Sequence, residues 1–194
     1  MVDSDPAKIN WTRSLKADAR KGKGLKYEDD ATRIALYRPF SKRWMYFSRR
    51  LNEMVYKMPS FFPTPNHPNL VIPALGVGAS SDFSTVMADT VVDLEMVSKG
   101  QCFPLYVYER IDEDGTLDLG GDETDTVDGY RRRHAITDAT LQAFRDAYEK
   151  KLSKEDIFYY VYGILHSPEY RSRFAADLTQ LRPRVPLPKD TGDF

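Results

Sequence analysis

The segment 154–188 constrains the fold most, because it predicts two helices separated by a sharp break. Ser153 is a good N-cap residue, and Asp156 follows three residues later, which is close to a capping box with Asp in place of Glu. An apolar stripe at helical spacing follows, made of Ile157, Val161, Ile164 and Leu165. The run His166-Ser167-Pro168 ends this helix, because proline pushes the preceding residue out of the helical region.

A second helix is predicted directly after the break. Ser167 can cap it, Pro168 suits its first position, and Tyr170, Phe174 and Leu178 form its apolar face. Prolines at 183, 186 and 188 then stop helix formation and favour an extended exit.

The chain before this segment has the patterns of strands and turns. Strands are expected at 34–37, 43–48, 70–72, 83–87, 91–94 and 103–108, and helices at 11–21, 52–57 and 138–151, the last capped by Thr137. The run GVGASS at 76–81 lacks the third glycine of a dinucleotide fingerprint and the Lys-Ser/Thr of a P-loop, so a tight turn is favoured.

Strands followed by helices indicate an α+β fold. We expect a mixed or antiparallel sheet from the N-terminal and central parts, and a C-terminal helical part of about three helices. The expected organisation is an N-terminal helix and lead-in at 1–36, a β-rich part at 37–135, a helical part at 136–188 and a tail at 189–194.

Bulk properties are those of a soluble cytoplasmic domain. The 194 residues are 41% hydrophobic and 29% charged, with no apolar run long enough to span a membrane and no signal peptide. One cysteine, Cys102, excludes an internal disulfide and is interpreted as a small buried hydrophobe rather than a reactive thiol.

Charge is distributed unevenly along the chain although its net value is −1. Residues 1–60 contain 14 Lys and Arg against 7 Asp and Glu, whereas residues 89–128 contain 12 acidic residues against two basic ones. Such a chain can present a basic face to phosphate while remaining neutral overall. The alternative is that the two sets of charges mix in space once the chain is folded.

Three sets of arginines are candidates for binding nucleic acid: Arg38, Arg43, Arg49 and Arg50 among the aromatic residues of segment 37–50; Arg131, Arg132 and Arg133 on a predicted loop; and Arg171 with its weaker neighbours Arg173, Arg182 and Arg184. For the first set, the alternative is a core strand with a solvated basic side. For the second, the alternative is neutralisation of the acidic loop at 112–128.

Catalytic constellations are absent from the sequence. The histidines His67, His134 and His166 lack metal-ligand spacing, and no nucleophile elbow, Walker A motif or Asn-Pro-Pro-Tyr motif of an adenine methyltransferase is present. For His166, at a predicted helix end, a capping or core hydrogen bond is favoured over catalysis. We therefore expect no chemistry from this chain alone.

Several blocks, in order, resemble the target-recognition region of single-polypeptide (type ISP) restriction-modification enzymes. These blocks are YRPFSKRWMYF at 37–47, DTVVDL at 89–94, QCFPLY at 101–106, DIFYYVYGILHSPEYR at 156–171 and PRVP at 183–186. Ser41 stands where the family pattern has Asp, which puts any role of that acid in doubt.

The resemblance implies a DNA target-recognition domain and a chain that is the C-terminal fragment of a larger protein. The parent would carry a nuclease, a helicase-like ATPase and an N6-adenine DNA methyltransferase, which use S-adenosylmethionine, ATP and Mg. The implied partners are double-stranded DNA and the N-terminal methyltransferase and helicase domains; no cofactor and no membrane is implied for the fragment. Arg38 and Arg43 are then expected near the DNA backbone, and Arg131, Arg132 and Arg133 in a groove. The alternative is a structural or protein-interaction domain that couples the helicase or methyltransferase domains.

Overall fold

The order of strands and helices confirms the predicted α+β class. A computed structural model describes residues 13–52, 54–79, 81–93, 96–111, 126–148, 151–185 and 187. Its elements are α1 (Arg13–Arg20), β1 (Thr32–Arg38), β2 (Ser41–Tyr46), α2 (Met58–Phe61), β3 (Val71–Ala74), β4 (Val91–Val92), β5 (Gln101–Pro104), β6 (Tyr106–Arg110), β7 (Thr126–Val127), β8 (Tyr130–His134), α3 (Asp138–Tyr148), α4 (Lys154–His166), α5 (Pro168–Arg173) and α6 (Ala175–Gln180).

The β1–β2 hairpin forms most of the first sheet. Its strands pair antiparallel from Thr32 opposite Tyr46 to Arg38 opposite Ser41, with an irregularity in β1 just before Arg38. β4 pairs with the other edge of β1 in the parallel direction. The strands predicted at 34–37 and 43–48 are therefore confirmed, and this sheet is mixed.

Two antiparallel sheets follow, with the strand orders β3-β5 and β6-β8-β7. The stretch 103–108, predicted as one strand, is divided between them at Leu105. Leu105 is buried, donates its backbone N–H to the Leu70 carbonyl and accepts a hydrogen bond from the Ala135 N–H. Its N–H thus bonds to the residue before β3 and its carbonyl to the residue after β8, so the chain passes from one sheet to the next at Leu105.

Two predicted elements before β4 are corrected. The helix expected at 52–57 does not form in its described residues; α2 begins at Met58 instead, with Pro59 in its first turn, where proline costs no hydrogen bond. Met54 and Tyr56 have φ values of 57° and 47°, which interrupt any helix before that point. The strand expected at 83–87 is reduced to isolated bridges of Thr85 and of neighbouring Ala88 with β3.

Residues 76–79, the described start of the run GVGASS, form a turn after β3, as predicted. Ala79 donates its N–H to the Gly76 carbonyl, and Gly78 has a φ of 73°. A Cβ on Gly76 would lie 1.8 Å from the backbone oxygen of Lys99. Glycine is therefore required at position 76 by the close approach of another backbone segment rather than by a nucleotide.

The helix caps are confirmed. Ser153 Oγ accepts a hydrogen bond from the Asp156 N–H at 3.1 Å, and Asp156 Oδ2 accepts one from the Ser153 N–H at 2.8 Å. Ser167 caps α5, and Thr137 Oγ1 accepts from the Thr140 N–H at the start of α3.

The expectation of one helix after Pro168 is wrong. Two short helices form, because Phe174 leaves helical geometry with φ −111° and ψ 21°. Tyr170, Phe174 and Leu178 nevertheless pack into the same apolar cluster, as their spacing predicts. Of the helix expected at 138–151, the structure describes α3 up to Tyr148; residues 149 and 150, like the tail expected at 189–194, lie outside the described residues.

The apolar core consists of three clusters. The first lies between the first sheet and α2 and includes Leu36, Phe61 and Val91. The second joins strands to α4–α6, with Ile72 and Leu105 of the β-rich part in one cluster with helical residues. The third packs α3 on α4. The β-rich and helical parts therefore share buried surface. Within the described ranges, no helix is long and apolar enough to cross a membrane.

Replacing Ser153 by alanine is expected to lower the free energy of unfolding by about 1 kcal/mol, because the Asp156 N–H in the first turn of α4 loses its acceptor. Urea unfolding followed by circular dichroism measures this. Ser172→Ala, at an exposed helical position, is the matched control and should cause no loss. Equal stability of both variants would contradict the role of the capping box.

Candidate nucleic-acid interface

The two most exposed large apolar side chains of the described residues lie on the β1–β2 hairpin. Phe40 is 97% exposed and Trp44 is 75% exposed. Pro39 and Phe40 form the two-residue turn, and Phe40 has a φ of 66°, a conformation usually left to Gly or Asn at this turn position. The residue at the hairpin tip therefore has a fully exposed aromatic ring and an unfavourable backbone conformation.

Two of the predicted arginines, Arg38 and Arg43, lie next to this tip and contact the same aromatic ring. The guanidinium carbons of Arg38 and Arg43 lie 5.0 Å and 5.2 Å from the centroid of the Tyr37 ring. Cation–π contacts of this kind restrict the positions of the long arginine side chains beside the ring. Among the described residues, no carboxylate lies within ion-pair distance of Arg43.

The surroundings of the hairpin are basic. From residue 31 to residue 52 the chain contains six Lys and Arg and no Asp or Glu. One nearby acid, Asp89, lies 4.0 Å from Lys42, and both side chains are more than 60% exposed, so this pair contributes little. The hairpin tip therefore carries an excess of positive charge.

Arg49 and Arg50 differ in their surroundings. Arg49 is exposed. Arg50 donates from Nε and Nη2 to Asp18 Oδ2, at 3.1 Å and 2.9 Å, and from Nη1 to the Gly24 carbonyl. The hydrogen bond from Arg50 lowers the pKa of Asp18 below its ordinary value. Arg50 thus ties the segment after β2 to α1, and DNA contact by either arginine stays a prediction.

Arg131, Arg132 and Arg133 lie on strand β8, not on a loop as predicted. The turn at Asp128–Gly129, both with positive φ, returns the chain to pair with β6. Because side chains alternate along a strand, Arg132 lies on one face, and Arg131 and Arg133 lie on the other. The three guanidinium groups therefore cannot all face one strand of DNA from the same side.

The two faces of β8 have different neighbours. The Arg132 guanidinium carbon lies 4.5 Å from the centroid of the Tyr106 ring. Burial raises the pKa of Tyr106, and the hydrogen bond from its hydroxyl to Glu155 raises it further. On the other face, Arg133 Nε lies 3.3 Å from Glu109 Oε2. Glu109 belongs to β6 and not to the acidic loop at 112–128, so neutralisation of that loop stays a prediction; its residues 112–125 lie outside the described residues.

An open cavity of about 800 Å³ connects the hairpin with the Arg132 face of β8. Ile34 and Trp44 line one side, and Tyr106 and Arg132 line the other. Among the described residues, Arg132 is the only one of the predicted arginines that lines this cavity, because Arg43 neighbours Trp44 on β2 and lies on the opposite face of the hairpin.

Arg171 stabilises the helical part. Its Nε donates to the Leu165 carbonyl at 2.6 Å, near the C-terminus of α4, and its guanidinium carbon lies 5.6 Å from the centroid of the Phe83 ring. A cation is favourable at a helix C-terminus. Its proposed contact with DNA stays a prediction.

Arg33, which the sequence analysis did not single out, holds the base of the hairpin. It is buried and donates to the carbonyls of Phe62, Asp30 and Pro63, at 2.7 Å, 2.8 Å and 3.2 Å. Burial lowers its pKa. The alternation of β1 was an available signal, since Arg33 lies on the same face as buried Ala35.

Asn69 is a second structural residue that the sequence analysis missed. It is buried, donates from Nδ2 to the carbonyls of Phe61 and Tyr106, and accepts at Oδ1 from the N–H groups of Leu70 and Tyr106. Its amide therefore joins α2, the start of β3 and the start of β6, beside the cavity.

The cysteine and the histidines occupy structural positions. Burial raises the pKa of the Cys102 thiol to about 12, as expected for an unreactive side chain. His67 is buried between the Thr64 hydroxyl and the Val127 carbonyl, and His166 Nδ1 lies 3.0 Å from the Tyr162 carbonyl. His134 Nε2 lies 3.6 Å from Glu155 Oε1. In the part of the chain that the structure describes, no group of three His, Cys, Asp or Glu side chains could hold a metal ion.

Comparison with known proteins identifies a family. The model of the "Type ISP C-terminal specificity domain" matches residues 1–194. No relative was found among curated proteins.

Among solved structures, the chain is similar to a DrdV–DNA complex, with 38% identity and a TM-score of 0.80 over 96% of the chain. It is also similar to the ATP-dependent Type ISP restriction-modification enzyme LlaBIII bound to DNA, with 27% identity and a TM-score of 0.76 over 95% of the chain. A nuclease-deletion mutant of the Type ISP enzyme LlaGI with a DNA substrate mimic matches 91% of the chain, with 31% identity and a TM-score of 0.67. The chain spans 17%, 11% and 14% of these three chains, respectively.

Proposed function

Because the chain belongs to the family of Type ISP C-terminal specificity domains, we propose that it recognises the DNA target of a restriction-modification enzyme. The observation that carries this proposal is the pair of guanidinium groups, Arg38 and Arg43, held beside Tyr37 on an exposed and purely basic hairpin. Guanidinium groups of this kind bind phosphate oxygens, and phosphate contacts supply most of the affinity for a duplex.

Recognition requires a division of roles between phosphate and base contacts. In the proposed complex, Arg38 and Arg43 bind backbone phosphates and set the position of the domain. Arg132, which lines the cavity together with Trp44, is assigned a separate contact toward a groove of the duplex. Arg131 and Arg133, on the other face of β8, do not contact the same stretch of DNA.

The rest of the enzyme would lie outside this chain. Restriction-modification relatives carry this kind of domain within much longer chains. We assign the nuclease, the helicase-like ATPase and the N6-adenine methyltransferase to other domains of a cytoplasmic parent. S-adenosylmethionine, ATP and Mg would bind there, and a flipped adenine would enter the methyltransferase pocket. This chain would bind DNA and carry out no catalytic step.

The test is duplex binding by fluorescence anisotropy with a randomised pool of oligonucleotides, at salt concentrations from about 50 mM to about 200 mM. A recognition domain is expected to bind with an affinity that falls steeply as salt rises, and sequencing of the retained pool then gives the target. Absence of binding at the lowest salt concentration, together with tight association with separately supplied methyltransferase or helicase domains, would favour a coupling domain instead.

A further inference from the structure

We propose that the β1–β2 hairpin enters the major groove and that Phe40, at its tip, makes an apolar contact with base edges. This inference rests on the proposed DNA-binding function. It adds a base-contacting residue to an interface for which the arginines provide the phosphate contacts.

Phe40 has no structural role within the described chain. Its ring is 97% exposed, it belongs to none of the three core clusters, and no ring contact includes it. Its φ of 66° is unfavourable for a residue with a Cβ, and glycine would adopt it without strain. An exposed ring on a strained backbone destabilises the free protein, which points to a contact outside the chain.

The charge around Phe40 favours DNA over another protein domain. Arg38, Lys42 and Arg43 flank the tip, and no acidic residue occurs in segment 31–52. A protein partner would have to be acidic to cover this hairpin, whereas a duplex places phosphates on both sides of a groove. In such a groove, the phosphates would face the basic side chains beside the tip, and the apolar base edges between them would face the Phe40 ring.

The shape of the hairpin also fits a groove. A two-stranded antiparallel ribbon can enter the major groove of B-DNA. Beyond Leu36, the last residue of β1 that pairs with β4, β1 and β2 continue as such a ribbon to the Arg38–Ser41 pair at the turn. The ring of Phe40 would then reach the groove floor, where the thymine methyl group offers an apolar contact.

The experiment compares wild type, Phe40→Gly and Tyr56→Gly in duplex binding, with the duplex that wild type retains from the randomised pool, over a series of salt concentrations. An apolar contact is independent of salt. Phe40→Gly should therefore lose about tenfold in affinity at every salt concentration, with an unchanged salt slope. Because glycine relieves the strained φ, its melting temperature should equal or exceed that of wild type.

Tyr56→Gly is the matched control, since Tyr56 is also an exposed aromatic residue (65%) with positive φ (47°), but lies outside the hairpin. It should bind DNA as wild type does. Unchanged affinity of Phe40→Gly would overturn the inference and indicate a protein contact for the tip. A changed salt slope, or an equal loss in Tyr56→Gly, would also overturn it. Failure of wild type to bind DNA would overturn the proposed function and this inference together.

Discussion

Replacement of both Arg38 and Arg43 by alanine is expected to reduce the salt slope of duplex binding by about 1.8, since each phosphate contact contributes about 0.9. If the binding curves of wild type and variant meet near about 1 M salt, this change corresponds to a loss of about two hundredfold in affinity at about 50 mM salt. Anisotropy titrations over a series of salt concentrations measure both quantities.

The reason for so large an effect is the geometry around Tyr37. Both guanidinium groups lie within 5.2 Å of the same ring centroid, so one aromatic ring restricts both side chains. Phosphate oxygens supply acceptors for both groups. The exposed position of the hairpin keeps the pair accessible to a duplex.

Two controls separate charge from position. The first combines Arg38→Lys with Arg43→Lys, which keeps both charges and should retain most of the slope, with some loss of affinity from the missing bidentate geometry. The second combines Arg173→Ala with Arg182→Ala, which removes two charges from the helical part and should leave the slope nearly unchanged. If this second pair flattened the slope as much as the hairpin pair, DNA would not bind preferentially at the hairpin.

Replacement of Asn69 by alanine is expected to reduce the free energy of unfolding by about 4 kcal/mol, because it leaves four backbone groups, one buried and three partly buried, without their hydrogen-bond partner. These groups belong to Phe61, Leu70 and Tyr106, in three different segments of the fold. Urea unfolding followed by circular dichroism measures the loss.

Asn66→Ala is the matched control for Asn69→Ala. Asn66 is exposed, and its side chain makes one long hydrogen bond, of 3.3 Å, to Asp128. Its replacement should change the free energy of unfolding by less than about 0.5 kcal/mol. Similar losses in the two variants would show that the buried amide does not stabilise the junction of α2, β3 and β6.

Local signals in the sequence were sufficient for much of the fold. The capping box at Ser153, the break at Ser167-Pro168 and the hairpin strands depend on neighbouring residues, and the structure confirms all of them. The break at Phe174 and the division of 103–108 at Leu105 were not predicted. The division at Leu105 depends on contacts with distant segments, such as its hydrogen bond to Leu70.

For the candidate interface too, the sequence identified the residues but not their contacts. Composition and the family resemblance were sufficient to single out the arginines of segment 37–50 and the triplet 131–133. They could not reveal that Arg50 pairs with Asp18, 32 residues away, or that β8 turns Arg132 away from Arg131 and Arg133. These assignments require strand register and long-range packing.

The sequence by itself therefore determined the α+β class, the helix caps, the hairpin and the concentration of positive charge on it, because each arises from residues close together in the chain. Only the tertiary structure decided which arginines are held by internal partners, which face the cavity beside Trp44, and that Phe40 is left bare at the hairpin tip. Burial and charge pairing depend on segments that meet only after folding, so no local pattern can specify them.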